Sequence, residues 1–170
     1  MLQIVEPFFN ALKSAATEDQ LRGVLEASAD RFGFRSAMVV ECGGDGAHAC
    51  MLLDTCPERR RWWDAHYERI AGVVPQILRH RAECEPLLRL DAGLAADCPD
   101  QTDGVLGSLD LAEGIVVPIT RSESLAGYVG FSGPPALNEL EGLALYTISV
   151  NLFVQCRLSR AALAPNPQLH

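Results

Sequence analysis

The sequence predicts an α/β fold: an α/β/α sandwich with a central, mainly antiparallel sheet of about five strands flanked by helices. Three observations lead there. Helical segments with apolar stripes open the chain, and one long helical segment, 137–159, closes it. Two pairs of β-rich segments are each joined by a short turn, and hairpins make antiparallel neighbours. The 170 residues, 48% of them hydrophobic, are enough for one core and too few for two domains of ordinary size.

Residues 2–15 read as a short helix with Leu2, Val5, Phe8, Phe9 and Leu12 on one face. Thr17 then caps a second helix, with Gln20 completing a capping box three residues later. Leu21, Val24, Leu25, Ala27 and Ser28 form its stripe, which ends at Gly33. Residues 35–42 are β-rich and bounded by Gly43-Gly44-Asp45-Gly46, a turn signal. Residues 48–54 are the returning strand.

Pro57 suits the first turn of a third helix that Gly72 loosens, and Pro75 opens a short one over 76–81. Leu87 to Leu90 suggests a short strand, and 91–108, rich in Asp, Gly and Ala, suggests mostly loop. The segments 114–120 and 125–132 alternate as strands across the polar turn 121–124. Pro134-Pro135 breaks the chain before the long helix. The domain is expected over 1–160, with 161–170 as linker or tail and no helix-turn-helix segment in this chain.

With 14 basic against 22 acidic side chains, the net charge of −8 argues against a phosphate backbone as partner. The basic run Arg59-Arg60-Arg61 is expected as a solvated turn of helix. No apolar run approaches the roughly 20 residues of a membrane span, and residues 1–7 lack the pattern of a signal peptide. The six cysteines include no C-x-x-C pair and are expected as small apolar residues in a reducing cytoplasm. Hydrolase, zincin, P-loop and dinucleotide motifs are all missing, and the histidines at 48, 66, 80 and 170 are scattered. The expectation is a binding protein without a cofactor or metal, not an enzyme.

Trp62 and Trp63 point about 100° apart on a helix, so one core cannot take both. A Trp in a cavity packs an apolar ligand with its face and donates one N–H. The stretch Pro57…Trp63-Asp64-Ala65-His66-Tyr67…Val74-Pro75…Pro86-Leu87-Leu88-Arg89 resembles the autoinducer-binding domain of LuxR-type quorum-sensing regulators. The later Gly114-Ile115-Val116-Val117-Pro118-Ile119 and Gly127-Tyr128-Val129-Gly130-Phe131-Ser132 resemble that family's paired late strands.

The resemblance implies a pocket for an N-acyl or N-aroyl homoserine lactone between the sheet and the middle helices. Trp63 and Tyr67 keep the family's Trp-x-x-x-Tyr spacing and would meet the lactone and pack on the ligand. Val74 stands where the family carries an amide-binding Asp, Arg89 where it carries a second Trp, Cys56 where it carries a Tyr, and Gly130 where it carries a Ser. Met38, Val40 and Leu52 on the first hairpin and Val129 beside Gly130 on the last strand complete the expected lining. A lost acceptor for a buried amide N–H costs about 1–3 kcal/mol, so a divergent signal is expected.

On this reading the chain is the ligand-sensing domain of a quorum-sensing regulator, coupling its signal to folding or dimerisation. The partner is a second copy or a LuxR-type regulator. A second reading is a ligand-independent interaction protein, an anti-activator or dimerisation module whose former pocket is filled by its own side chains. A third is a GAF-like or PAS-like sensor of another small molecule.

Overall fold

The computed structural model describes residues 1–43, 48–70, 75, 78, 86–90, 107–110, 113–122, 124–134 and 136–163. The expected turn at 44–46, the short helix over 76–81, most of the 91–108 loop and the tail beyond 163 lie outside the described residues.

Helix α1 spans Leu2–Ser14 and buries Val5, Phe8 and Leu12. Helix α2, Glu18–Arg31, begins at the expected capping box. The Thr17 hydroxyl accepts the Gln20 N–H at 3.2 Å, and the Gln20 side-chain oxygen accepts the Thr17 N–H at 3.1 Å. At its other end Gly33 takes a φ of 78°, the left-handed conformation that glycine adopts without strain. This turn lets the Phe34 N–H reach back to the Ala29 carbonyl at 2.9 Å and sends the chain into the sheet.

Five antiparallel strands follow: β1 Ser36–Cys42, β2 Ala49–Asp54, β3 Leu88–Leu90, β4 Gly114–Arg121 and β5 Ser124–Ser132. Their spatial order is β2-β1-β5-β4-β3. Helix α3, Pro57–Ile70, follows β2, and helix α4, Glu139–Leu163, ends the described fold. The α/β sandwich around a five-stranded antiparallel sheet is thus the observed fold.

The long helix is displaced from the expected 137–159 at both ends. Asn138 and Glu141 form a second capping box, which sets the start at Glu139. At the other end Arg160-Ala161-Ala162-Leu163 are good helix formers, and α4 continues through residues expected as tail.

One face of the sheet carries α1, α2 and α4. Val39, Val117, Val129 and Phe131 of the strands meet Leu25, Leu145, Ile148 and Leu152 of the helices there in a continuous buried core. At Gly127 the Phe153 ring of α4 lies close against the backbone of β5. A Cβ at that position would strike both the Val40 carbonyl oxygen and the Phe153 ring. Because β5 is hydrogen-bonded on both sides, it has no room to retreat. Gly127→Ala is expected to cost about 1–3 kcal/mol, read as a lowered urea midpoint with an unchanged slope.

Candidate functional site

The other face of the sheet carries a second buried cluster. Residues opposite one another in an antiparallel ladder share a face, so the registers define its floor as rows. One row runs Met38, Gly130, Val116, Leu88 across β1, β5, β4 and β3. The next runs Met51, Val40, Tyr128, Pro118 across β2, β1, β5 and β4. Cys42, Ala49 and Leu125 extend the cluster, and Trp63, Leu78 and Leu109 pack on it from above.

Trp63 reaches this floor because α3 turns the face carrying Arg59 and Trp63 inward, four residues and one turn apart. Trp63 is 2% exposed. Its neighbour Trp62 is half-buried at the cluster's edge and stacks on His66, with ring centroids 4.7 Å apart. His66 donates from Nδ1 to the Trp62 carbonyl at 2.8 Å.

Tyr128 is the chemically distinctive member. Its side chain is fully buried at the centre of the sheet, and its hydroxyl has no hydrogen-bond partner among the described residues. Burial above all, and then the nearby Cys42 thiol, push the phenol well above its ordinary pKa, while the Arg59 charge acts in the other direction. It remains a neutral O–H that can donate one hydrogen bond and accept others. A lone buried hydroxyl costs about 1–3 kcal/mol until something meets it.

A second polar group closes one end of the face. Arg59, expected as part of a solvated turn, is 3% exposed. Its Nε donates to Asp54 at 2.9 Å, Nη1 to the Ser36 and Ser132 hydroxyls at 3.0 and 3.1 Å, and Nη2 to the Ala37 carbonyl at 3.0 Å. Nη1 also reaches the Leu109 carbonyl at 3.3 Å. Asp54 is equally buried and accepts the Cys56 N–H at 2.8 Å. Arg60 and Arg61 do lie outside, paired with Asp64 and Glu58. Each nitrogen of the Arg59 guanidinium donates to an acceptor already in place. Arg59 therefore ties α3 to three strands and the 107–110 turn instead of offering charge to a ligand.

The expected site residues separate into groups. Met38, Val40, Trp63 and Gly130 come together on this face. Gly130 lies between Met38 and Val116 in the ladder and contributes no side chain. Leu52 and Val129 pack on the opposite, three-helix face. The cause at Leu52 is a β-bulge: Val39 faces Leu53 and Val40 faces Met51, so Leu52 is the extra residue. An unbroken ladder would have set Leu52 opposite Val40, on the site face. Val129 and Gly130 are consecutive on β5 and cannot share a face. Arg89 is exposed and lies opposite Ile115, a residue of the three-helix core, so it is directed away from Trp63.

Cys56 precedes α3, half-buried, with its thiol 3.7 Å from the Glu58 carboxylate. Tyr67 is on α3 one turn beyond Trp63, and its side chain lies outside the described residues, as does Val74. Sequence reasoning missed Tyr128, Arg59 and Asp54. Alternation from Gly130 pointed to Tyr128, and the i, i+4 step back from Trp63 pointed to Arg59.

No group of three or more metal-ligating side chains occurs among the described residues. No helix among them is long and apolar enough to cross a membrane.

No family model and no curated protein sequence matches the chain. Solved structures do match its fold. SdiA from Escherichia coli superposes with a TM-score of 0.70 at 10% identity, covering 99% of this chain and 73% of that one. SdiA in complex with octanoyl-rac-glycerol gives a TM-score of 0.64 at 11% identity, over 99% and 70%. CepR2 from Burkholderia cenocepacia, an N-acylhomoserine-lactone-dependent LuxR family transcription factor, gives 0.60 at 18% identity, over 96% and 98%. The GAF domain of a Coxiella burnetii phosphoenolpyruvate-protein phosphotransferase gives 0.61 at 15% identity, over 95% of both chains. At these identities the likeness is one of fold, shared by LuxR-type and GAF sensor domains alike.

Proposed function

We propose that this chain is a ligand-sensing domain, a binding module and not an enzyme, that takes a small apolar molecule carrying a hydrogen-bonding oxygen or N–H between the sheet and α3. The carrying observation is Tyr128, a fully buried hydroxyl without a partner among the described residues, set in an otherwise apolar cluster with Trp63. An apolar chamber with a few convergent polar groups is the usual chemistry of a small-molecule site. Trp63 supplies a wide apolar face, and Tyr128 supplies the polar handle.

N-acyl and N-aroyl homoserine lactones fit this description, and so do monoacylglycerols, the class of octanoyl-rac-glycerol bound by SdiA. On the family resemblance, Val74 stands where a carboxylate would be expected, which favours ligands that need no acceptor from that position. The mechanism is linkage: a ligand that binds only the folded chain stabilises it, and with it any pairing with a second copy or a LuxR-type regulator. The cytoplasm, where such signals meet their regulators, is the compartment of this reading.

The test is a thermal-unfolding screen against acyl and aroyl homoserine lactones and monoacylglycerols of graded chain length. A ligand at 100 times its Kd adds about 2.7 kcal/mol, or roughly 5–10 °C for a chain of this size. No shift with any compound would favour the second reading, a ligand-independent interaction protein. The observation on that side is the bulk of Tyr128 itself, which fills the centre of the face.

A further inference from the structure

We propose that a second cavity, at the β2 edge of the sheet on its three-helix side, binds a straight-chain fatty-acid anion. β2 is the last strand of the sheet. Beside it, the first turn of α2 and the last turns of α4 enclose a space of about 590 Å³ that opens to solvent. Sites for small molecules span roughly 300–1,000 Å³. The floor is apolar. Leu21, Leu53 and Cys156 line it as buried members of the three-helix core, and Leu52, the bulge residue, packs with them. Burial above all, and then the Glu18 charge, push the Cys156 thiol up to about 12, so it is a neutral part of that floor.

The polar groups of the cavity select the sign of the ligand. Arg60 of α3 and Arg160 of α4 both line it, and both hold donors in reserve. Arg60 donates from Nε to Asp64 at 3.3 Å, and its two terminal nitrogens meet no acceptor among the described residues. Arg160 donates from Nη1 to the Cys50 sulfur at 3.0 Å and reaches Glu41 only at 3.4 Å. Glu41 is already met by Arg157 at 2.6 Å, so Arg160 is surplus positive charge. The carboxylate of the lining, Glu18, is held by Arg22 at 2.7 Å. Two guanidinium groups above an apolar floor match a carboxylate head on a hydrocarbon tail, since the planar fork of arginine fits a carboxylate in two-point contact. The Tyr128 chamber across the sheet offers an anion nothing comparable, because each Arg59 nitrogen already donates to an acceptor in the fold.

The probe is decanoate, kept below its micelle concentration and titrated into the full chain by calorimetry, with octanoate and dodecanoate beside it. Affinity is expected to rise about two- to fourfold for each CH₂ added. Cys50 lines the same cavity and reports on it: decanoate is expected to slow its alkylation by iodoacetamide, read on the Cys50 peptide by mass spectrometry. Decanol, which has the tail without the charge, is expected to leave that rate unchanged. Arg60→Gln and Arg160→Gln are surface changes expected to keep the circular dichroism of the wild type and to weaken decanoate binding about three- to tenfold each. Cys50 alkylation that ignores decanoate, protection by decanol equal to that by decanoate, or undiminished binding in both arginine variants overturns the proposal.

Discussion

Arg59→Ala is expected to destabilise the chain by about 3–5 kcal/mol, because it strands the Asp54 carboxylate in a buried site. The change also removes the donors that hold the Ser36 and Ser132 hydroxyls and the Ala37 and Leu109 carbonyls. Thermal unfolding would register a fall of about 10 °C. Arg59→Lys keeps the charge but loses the planar fork, and it is expected to recover only part of the loss. Alanine at Arg60 or Arg61, whose ion pairs are surface-exposed, is expected to change stability by less than about 1 kcal/mol. A comparable, small effect at all three positions would mean that the buried network does not hold α3 to the sheet.

Trp63→Ala is the second large effect. Trp63 is almost fully enclosed by the site-face cluster, and its removal is expected to cost about 3–5 kcal/mol and open a cavity over the sheet. Urea denaturation measures that loss directly. Trp62→Ala is expected to cost much less, since Trp62 is half-buried and its stacking partner His66 belongs to the same helix. A larger loss at Trp62 than at Trp63 would contradict the placement of α3.

What was legible in the sequence is what local chemistry determines. The Thr17–Gln20 capping box, the glycine that ends α2 and the β-rich pairs are each set by a handful of adjacent residues. Together they suffice for the α/β class and the antiparallel sheet. The strand order was not legible: β1 pairs with β5, about ninety residues later, and no local signal carries that. Nor was the face that each side chain takes. The bulge opposite Val39 and Val40 is invisible in an alternating run, and it moves Leu52 to the far side of the sheet.

The site was partly legible. Trp63, Met38, Val40 and Gly130 converge as their strand and helix positions allow. Arg59 was hidden by its setting. Three consecutive arginines in an acidic chain read as solvated, and only a partner outside the helix, Asp54 on β2, makes one of them a buried residue. Tyr128 was overlooked because the resemblance drew attention to the pair Val129-Gly130, whereas the period-two pattern selects Tyr128 with Gly130.

The most direct test of the central claim, that the buried Tyr128 hydroxyl meets a ligand, compares wild type with Tyr128→Phe. Each is titrated with the compound that gives the largest thermal shift. Without ligand, Tyr128→Phe is expected to be as stable as wild type or more so, because it removes a buried hydroxyl that has no partner among the described residues. With ligand, its affinity is expected to fall about 5- to 150-fold, the cost of leaving the ligand's own polar group unmet in a buried site. Equal affinities for the two proteins would contradict the claim.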